Sequence, residues 1–128
     1  MIAQLVIGGL HALWAARIWW PIADELALKR AVVGVPSLET MPDRAACAFV
    51  AVALVAAALW PVLPEGWFRT LGLAGLTLVY LARGIGGYLP FMARVAPEEP
   101  FRSLNLRYYN PLCIALGLGN GLFLWAAL

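Results

Sequence analysis

The run Ala45-Ala-Cys-Ala-Phe-Val-Ala-Val-Ala-Leu-Val-Ala-Ala-Ala-Leu-Trp-Pro-Val-Leu63 contains no charged residue and decides the fold. A helix needs about 20 mostly apolar residues to cross a hydrocarbon core of about 30 Å, and this run supplies them. Working outward, three further stretches meet the same test. Ile2 to Trp20 is closed by Pro21 and carries only Gln4, His11 and Arg17 as strongly polar members. Trp67 to Leu89 has Arg69 near its start and Arg83 near its end. It follows the turn Pro61-Val-Leu-Pro-Glu-Gly66, whose prolines and glycine mark a reversal. The last stretch, about residues 110–128 and opening at Tyr109 or Pro111, is again uncharged. The sequence therefore predicts an all-α protein, an integral membrane four-helix bundle. It reads as one domain over residues 1–128, with spans at about 2–20, 45–63, 67–89 and 110–128.

Composition points the same way. Of the 128 residues 63% are hydrophobic and 12% charged, against about 45–50% and 25% in ordinary soluble domains. A chain this short has too much surface for its volume to hide that excess in a single core. The net charge of +2 makes no basic surface, which argues against nucleic acid as a partner, and two cysteines exclude a disulfide scaffold. Residues 1–20 lack the basic segment and the small cleavage-site residues of a secretory signal, so they read as an uncleaved span.

Two polar loops, 21–44 and 90–110, separate the spans. The first contains Asp24-Glu-Leu-Ala-Leu-Lys-Arg30, with acids at its start and bases at its end as a helix dipole prefers, and predicts a short amphipathic helix. The second reads as an ordered loop or a short interfacial helix. Arg17, Lys29, Arg30, Arg44, Arg83, Arg94, Arg102 and Arg107 belong to the loop side, which leaves Arg69 alone opposite. By the positive-inside rule both loops face the cytoplasm and both termini face outward.

Small residues form rows along the spans. His11 shares a face with Gln4, Gly8 and Ala15; Cys47, Ala51 and Ala58 form a second row. Gly117 and Gly121 form a third, continuing through Cys113 to Tyr109. Such rows let helices approach closely in lipid, either inside the bundle or, for Gly117 and Gly121, across a homodimer.

The residues capable of chemistry concentrate toward the loops. An ionisable group at membrane depth marks a site by default, and His11 lies roughly 9 Å deeper than Arg17 at about 1.5 Å of rise per residue. The expected pocket is floored by His11 and lined by Trp14, Arg17, Arg83, Gly86, Gly87, Tyr88, Arg107, Tyr109 and Cys113. Arg83 followed by Gly84, Gly86 and Gly87 suits a phosphate or carboxylate, or else simply closes a span at the interface. The leading reading is a pocket for a small or lipid-like anionic ligand, with membrane lipid as the surrounding partner. Two other readings stay open: a membrane-embedded enzyme with His11 as the catalytic acid or base, and an accessory subunit that docks a partner membrane protein.

The stretch Arg83-Gly-Ile-Gly-Gly-Tyr-Leu-Pro90, then Glu99-Pro-Phe101, then Asn105-Leu-Arg-Tyr-Tyr-Asn-Pro-Leu-Cys113, with His11-Ala-Leu-Trp14 upstream, resembles a known family. It is similar to the small bacterial four-span membrane proteins grouped as a domain of unknown function. The resemblance covers nearly the whole chain and implies the fold and a shared site, without an activity; the expected location is the bacterial inner membrane. Relatives usually have an acid where Asn105 stands and a serine where Asn110 stands, so this chain departs from the pattern at both positions.

Several chemistries fit poorly. One histidine does not support bis-histidine heme within a chain, and no span interior holds the carboxylate that small proton-coupled efflux proteins use. One histidine and two thiols are thin for a metal site that wants three or four ligands, so none is expected. There is no CxxC pair, no Lys-Ser/Thr phosphate loop and no serine or zinc hydrolase motif.

Overall fold

A computed structural model describes all 128 residues, and the protein is helical throughout, with no strand. Six continuous helices follow one another: α1 (Ile2–Ala15), α2 (Glu25–Val32), α3 (Arg44–Val62, its last turn a tighter 3₁₀ turn from Trp60), α4 (Trp67–Gly86), α5 (Pro90–Val95) and α6 (Phe101–Ala127). The four longer helices form two pairs, α1 along α3 and α4 along α6. The short helices α2 and α5 lie at one end, and the reversal between α3 and α4 at the other.

α3 and α6 are long and apolar enough to cross a membrane, whereas α1 is apolar but shorter. The helix expected over residues 2–20 stops at Ala15, a correction with a clear geometric cause. Arg17 adopts φ 62°, its N–H bonds to the Trp14 carbonyl, and the Ile18 N–H reaches back to Leu13 at 2.9 Å. That is the reversal by which helices end, here with an arginine where glycine is usual. α6 departs in the other direction. It begins at Phe101, well before the expected start near 110, so residues 101–110, expected as an ordered loop or a short interfacial helix, are continuous with the long helix. α5 and the first turns of α6 make the second polar loop mostly helical. The charge-matched α2 forms where its sequence places it, with the Asp24 side chain accepting the Ala27 N–H at 2.9 Å.

The small-residue rows account for both pairs. Gly8 brings α1 onto α3, where a Cβ at that position would lie 3.3 Å from the Ala51 carbonyl oxygen. Cys47, Ala51 and Ala58 are all buried. Gly117 packs against Leu81 of α4 so closely that a Cβ there would come within 2.7 Å of its Cδ2, and Gly121 faces Thr77. Between the pairs the Gln4 amide donates to the Tyr80 hydroxyl at 3.0 Å. Only 22 of the 128 residues are buried, and large apolar side chains such as Phe49, Val52, Leu78, Leu122 and Trp125 stand outward.

Candidate functional site

The residues picked out by the sequence separate into two corners at the end that carries α2 and α5. At the α1–α3 corner, Trp14 is buried with Leu28, Met41 and Cys47, and its indole N–H donates to the Trp20 carbonyl at 2.9 Å. His11 packs its ring against Trp14, centroids 4.7 Å apart, and its Nδ1 lies 2.8 Å from the Ile7 carbonyl one turn back. That bond places the proton on Nδ1 in the neutral ring and leaves Nε2 as the acceptor. Arg17 donates to the Pro42 carbonyl at 3.0 Å and lies over the Trp19 ring at 5.4 Å. The Cys47 thiol turns to the same carbonyl. Trp14, Arg17 and Cys47 are thus engaged in tying α1 to the segment before α3.

The α4–α6 corner is built around Arg83. Its two terminal nitrogens donate to different side chains, Nη1 to Asn110 Oδ1 at 2.9 Å and Nη2 to Asn105 Oδ1 at 2.8 Å. Five positions apart on a regular helix, Asn105 and Asn110 would point about 140° away from each other. They converge because residues Asn105–Tyr109 form a wider π turn, in which the Asn110 N–H bonds to the Asn105 carbonyl. Pro111 explains the turn. A proline inside a helix has no N–H to give and its ring clashes with the carbonyl four residues back, here that of Arg107. Widening the helix by one residue relieves both problems. The Leu106 carbonyl, five residues before the proline, instead accepts the Tyr88 hydroxyl at 3.2 Å. Short π segments of this kind are frequent at functional sites.

Glycines make room for the arrangement. A Cβ on Gly84 would lie 2.9 Å from the Asn110 carbonyl oxygen and 2.6 Å from Ile114, and one on Gly87 would fall on the Asn110 amide itself. Gly84 and Gly87 therefore admit α6, while Gly86 faces open space. Asn110 is fully buried, and its Nδ2 is the one buried side-chain polar atom without a partner. Turning the amide over would aim N–H at the guanidinium, so Arg83 fixes the orientation and the orphan donor is its cost, of order 1–3 kcal/mol.

Beside this grip a cleft of about 170 Å³ opens between the end of α4, α5 and the first turns of α6. Gly87, Tyr88, Asn105 and Arg102 line it together with the apolar Leu89, Met92 and Leu106. Asn105, only 3% exposed, is shared by grip and cleft, and its Nδ2 makes a long 3.4 Å bond to the Gly87 carbonyl. The sole ion pair of the chain lies elsewhere, between the buried Lys29 on α2 and Glu98 at 2.8 Å. Tyr109 serves the same junction, donating to the Ala31 carbonyl at 2.9 Å. Arg107 is exposed and Cys113 half-buried, neither of them lining the cleft.

The structure thus brings together Arg83, Gly87 and Tyr88 of the expected set and adds Asn105, Asn110 and Arg102. It holds His11, Trp14 and Arg17 in the other corner. Asn105 and Asn110 stand out in the sequence only as departures from the family pattern, because residues 90–110 read as a polar loop and a spacing of five puts side chains on different faces of a regular helix. The available signal was Pro111 inside a helix, which forces the extra residue. No three of the His, Cys, Asp and Glu side chains gather as a metal site. No curated protein and no solved structure matches the chain. It belongs to the family described as protein of unknown function (DUF3995), with the match running over residues 4–120.

Proposed function

We propose that this DUF3995 protein is a multi-pass membrane protein whose cleft beside Arg83 binds a small or lipid-like anionic ligand. The observation that carries this reading is the state of Arg83. Its guanidinium is half-buried and held by two neutral amides, with no carboxylate within ion-pairing distance. A cation removed from water without a countercharge is costly, and a bound anion would supply that charge. Arg102 adds a second cation to the cleft wall, and Leu89, Met92 and Leu106 supply an apolar side for the rest of an amphiphile.

Membrane residence is supported by the two long apolar helices and by the outward-facing aliphatic and aromatic side chains. All four of the longer helices form the bundle, with α1 embedded as a short helix. The location is the bacterial inner membrane, with the α2 and α5 end on the cytoplasmic side, where eight of the nine basic residues lie. Cysteine labelling from either side of the membrane, at the exposed residues 65 and 39, tests the orientation.

Native mass spectrometry of the purified protein with phosphatidylglycerol tests the ligand. Wild type is expected to retain the lipid and Arg83→Ala to lose it. Equal retention by the two would refute an anion site at Arg83.

A further inference from the structure

We infer that the cleft selects anionic over zwitterionic amphiphiles because position 105, beside Arg83, carries a neutral amide and no carboxylate. The inference rests on the anion site proposed above and assigns the origin of its charge preference. Of the two side chains that hold the Arg83 guanidinium, Asn105 is the one that also lines the cleft. Its Oδ1 takes one of the guanidinium N–H bonds, so it orients the cation, but an amide contributes no charge and leaves the positive field intact.

The same shape with a carboxylate would behave differently. Aspartate at 105 would stand at the 2.8 Å position now held by Oδ1, an ion pair in place of a neutral hydrogen bond. At that separation the carboxylate would cancel most of the field that Arg83 projects into the cleft. Asn105 also lies one turn beyond Arg102 on α6, so the two side chains share the cleft wall. The Asn105 Nδ2 holds the Gly87 carbonyl only loosely, at 3.4 Å. The same nitrogen carries a second N–H for an incoming phosphate oxygen. An occupant with one net negative charge would meet the fields of Arg83 and Arg102 and the Asn105 amide. A zwitterionic headgroup would bring its own cation into that field.

Two substitutions separate charge from structure. Asn105→Asp keeps the side-chain shape and strengthens the bond to Arg83; Asn105→Ala removes that bond and keeps the net charge of the cleft. The probes are phosphatidylglycerol and phosphatidylcholine added to the detergent-solubilised full chain, read by native mass spectrometry. Glycerol phosphate, read by thermal shift, distinguishes a free phosphate ester from a lipid headgroup. The wild type is expected to prefer phosphatidylglycerol, Asn105→Asp to lose about tenfold or more of that preference, and Asn105→Ala to keep most of it. A purely structural Asn105 gives the opposite order, with Asp tolerated and Ala damaged, and that result would overturn the inference. Unchanged preference in Asn105→Asp would overturn it as well, while loss on Arg83→Ala would still uphold the anion site. Failure of the wild type to retain either phosphatidylglycerol or glycerol phosphate would instead remove the anion site itself.

Discussion

Arg17 and Arg83 both stand near the loop-bearing end of a helix, and on the sequence they look alike: one arginine at the end of each apolar stretch. The fold treats them differently. Arg17 lies just past the end of α1, gives its side chain to a backbone carbonyl at Pro42 and covers the Trp19 ring. Backbone and indole are fixed partners, and the result is a brace. Arg83 sits inside α4 and is held by two side-chain amides next to an open cleft. Side-chain partners can be exchanged for a ligand, and neutral ones leave the charge available. What holds a half-buried cation is therefore more informative about its role than its depth.

The contrast can be broken at several points. The largest effect is expected at the close approach beneath the Arg83 grip. Gly84→Ala would push against the backbone of α6 at Asn110 and Ile114, which must shift to admit it, and should destabilise the protein by about 3 kcal/mol or more. Thermal unfolding in detergent measures it. Next in size is Arg83→Lys. An ammonium is a point charge that cannot span both amides as the guanidinium fork does, so one charge-assisted bond is lost, about 1.5–3 kcal/mol. Arg17→Lys, by contrast, keeps a donor for Pro42 and loses mainly the ring contact, about 1 kcal/mol at this half-buried site. If the two substitutions cost the same, the distinction between brace and grip fails.

Pro111→Ala sharpens the comparison because it separates stability from site. Restoring the N–H removes the reason for the π turn, so α6 is expected to tighten while Asn105 swings away from Arg83; relief of the proline inside the helix, about 3 kcal/mol, offsets the lost charge-assisted bond, about 1.5–3 kcal/mol. Phosphatidylglycerol retention should fall although the melting temperature holds or rises; a parallel fall in both would contradict this. The smallest effect is expected for Arg17→Gly. Relief of the left-handed backbone, about 1–2 kcal/mol, offsets the lost hydrogen bond, about 1 kcal/mol. Stability should move by no more than about 1 kcal/mol, and lipid retention should not change.

Much of this architecture was readable from residue order. Long apolar runs located the four longer helices, the acid-to-base order of residues 24–30 located α2, and the rows through Gly8, Cys47 and Gly117 marked the packed faces. Those signals are local and periodic. The end of α1 was hidden because Arg17 adopts the backbone conformation that glycine normally announces. The start of α6 was hidden because Pro111 reads as a helix beginning, whereas here it lies within a continuous helix and widens it. That same widening changes the register, so the two asparagines that define the site project together although their spacing of five denies it. His11 drew attention as the deepest ionisable group, yet its Nδ1 is taken up by its own helix. Neither His11 nor Trp14 lines the cleft beside Arg83.

The central claim is that an uncompensated Arg83, gripped by Asn105 and Asn110, makes an anion site in the adjacent cleft. A crystal structure of the wild type grown with phosphatidylglycerol carrying brominated acyl chains tests it most directly. The account predicts headgroup density between Arg102 and Asn105, with a phosphate oxygen facing the Arg83 side and bromine signal along Leu89, Met92 and Leu106. An empty cleft in such crystals, or a carboxylate of the protein folded onto Arg83, would contradict it.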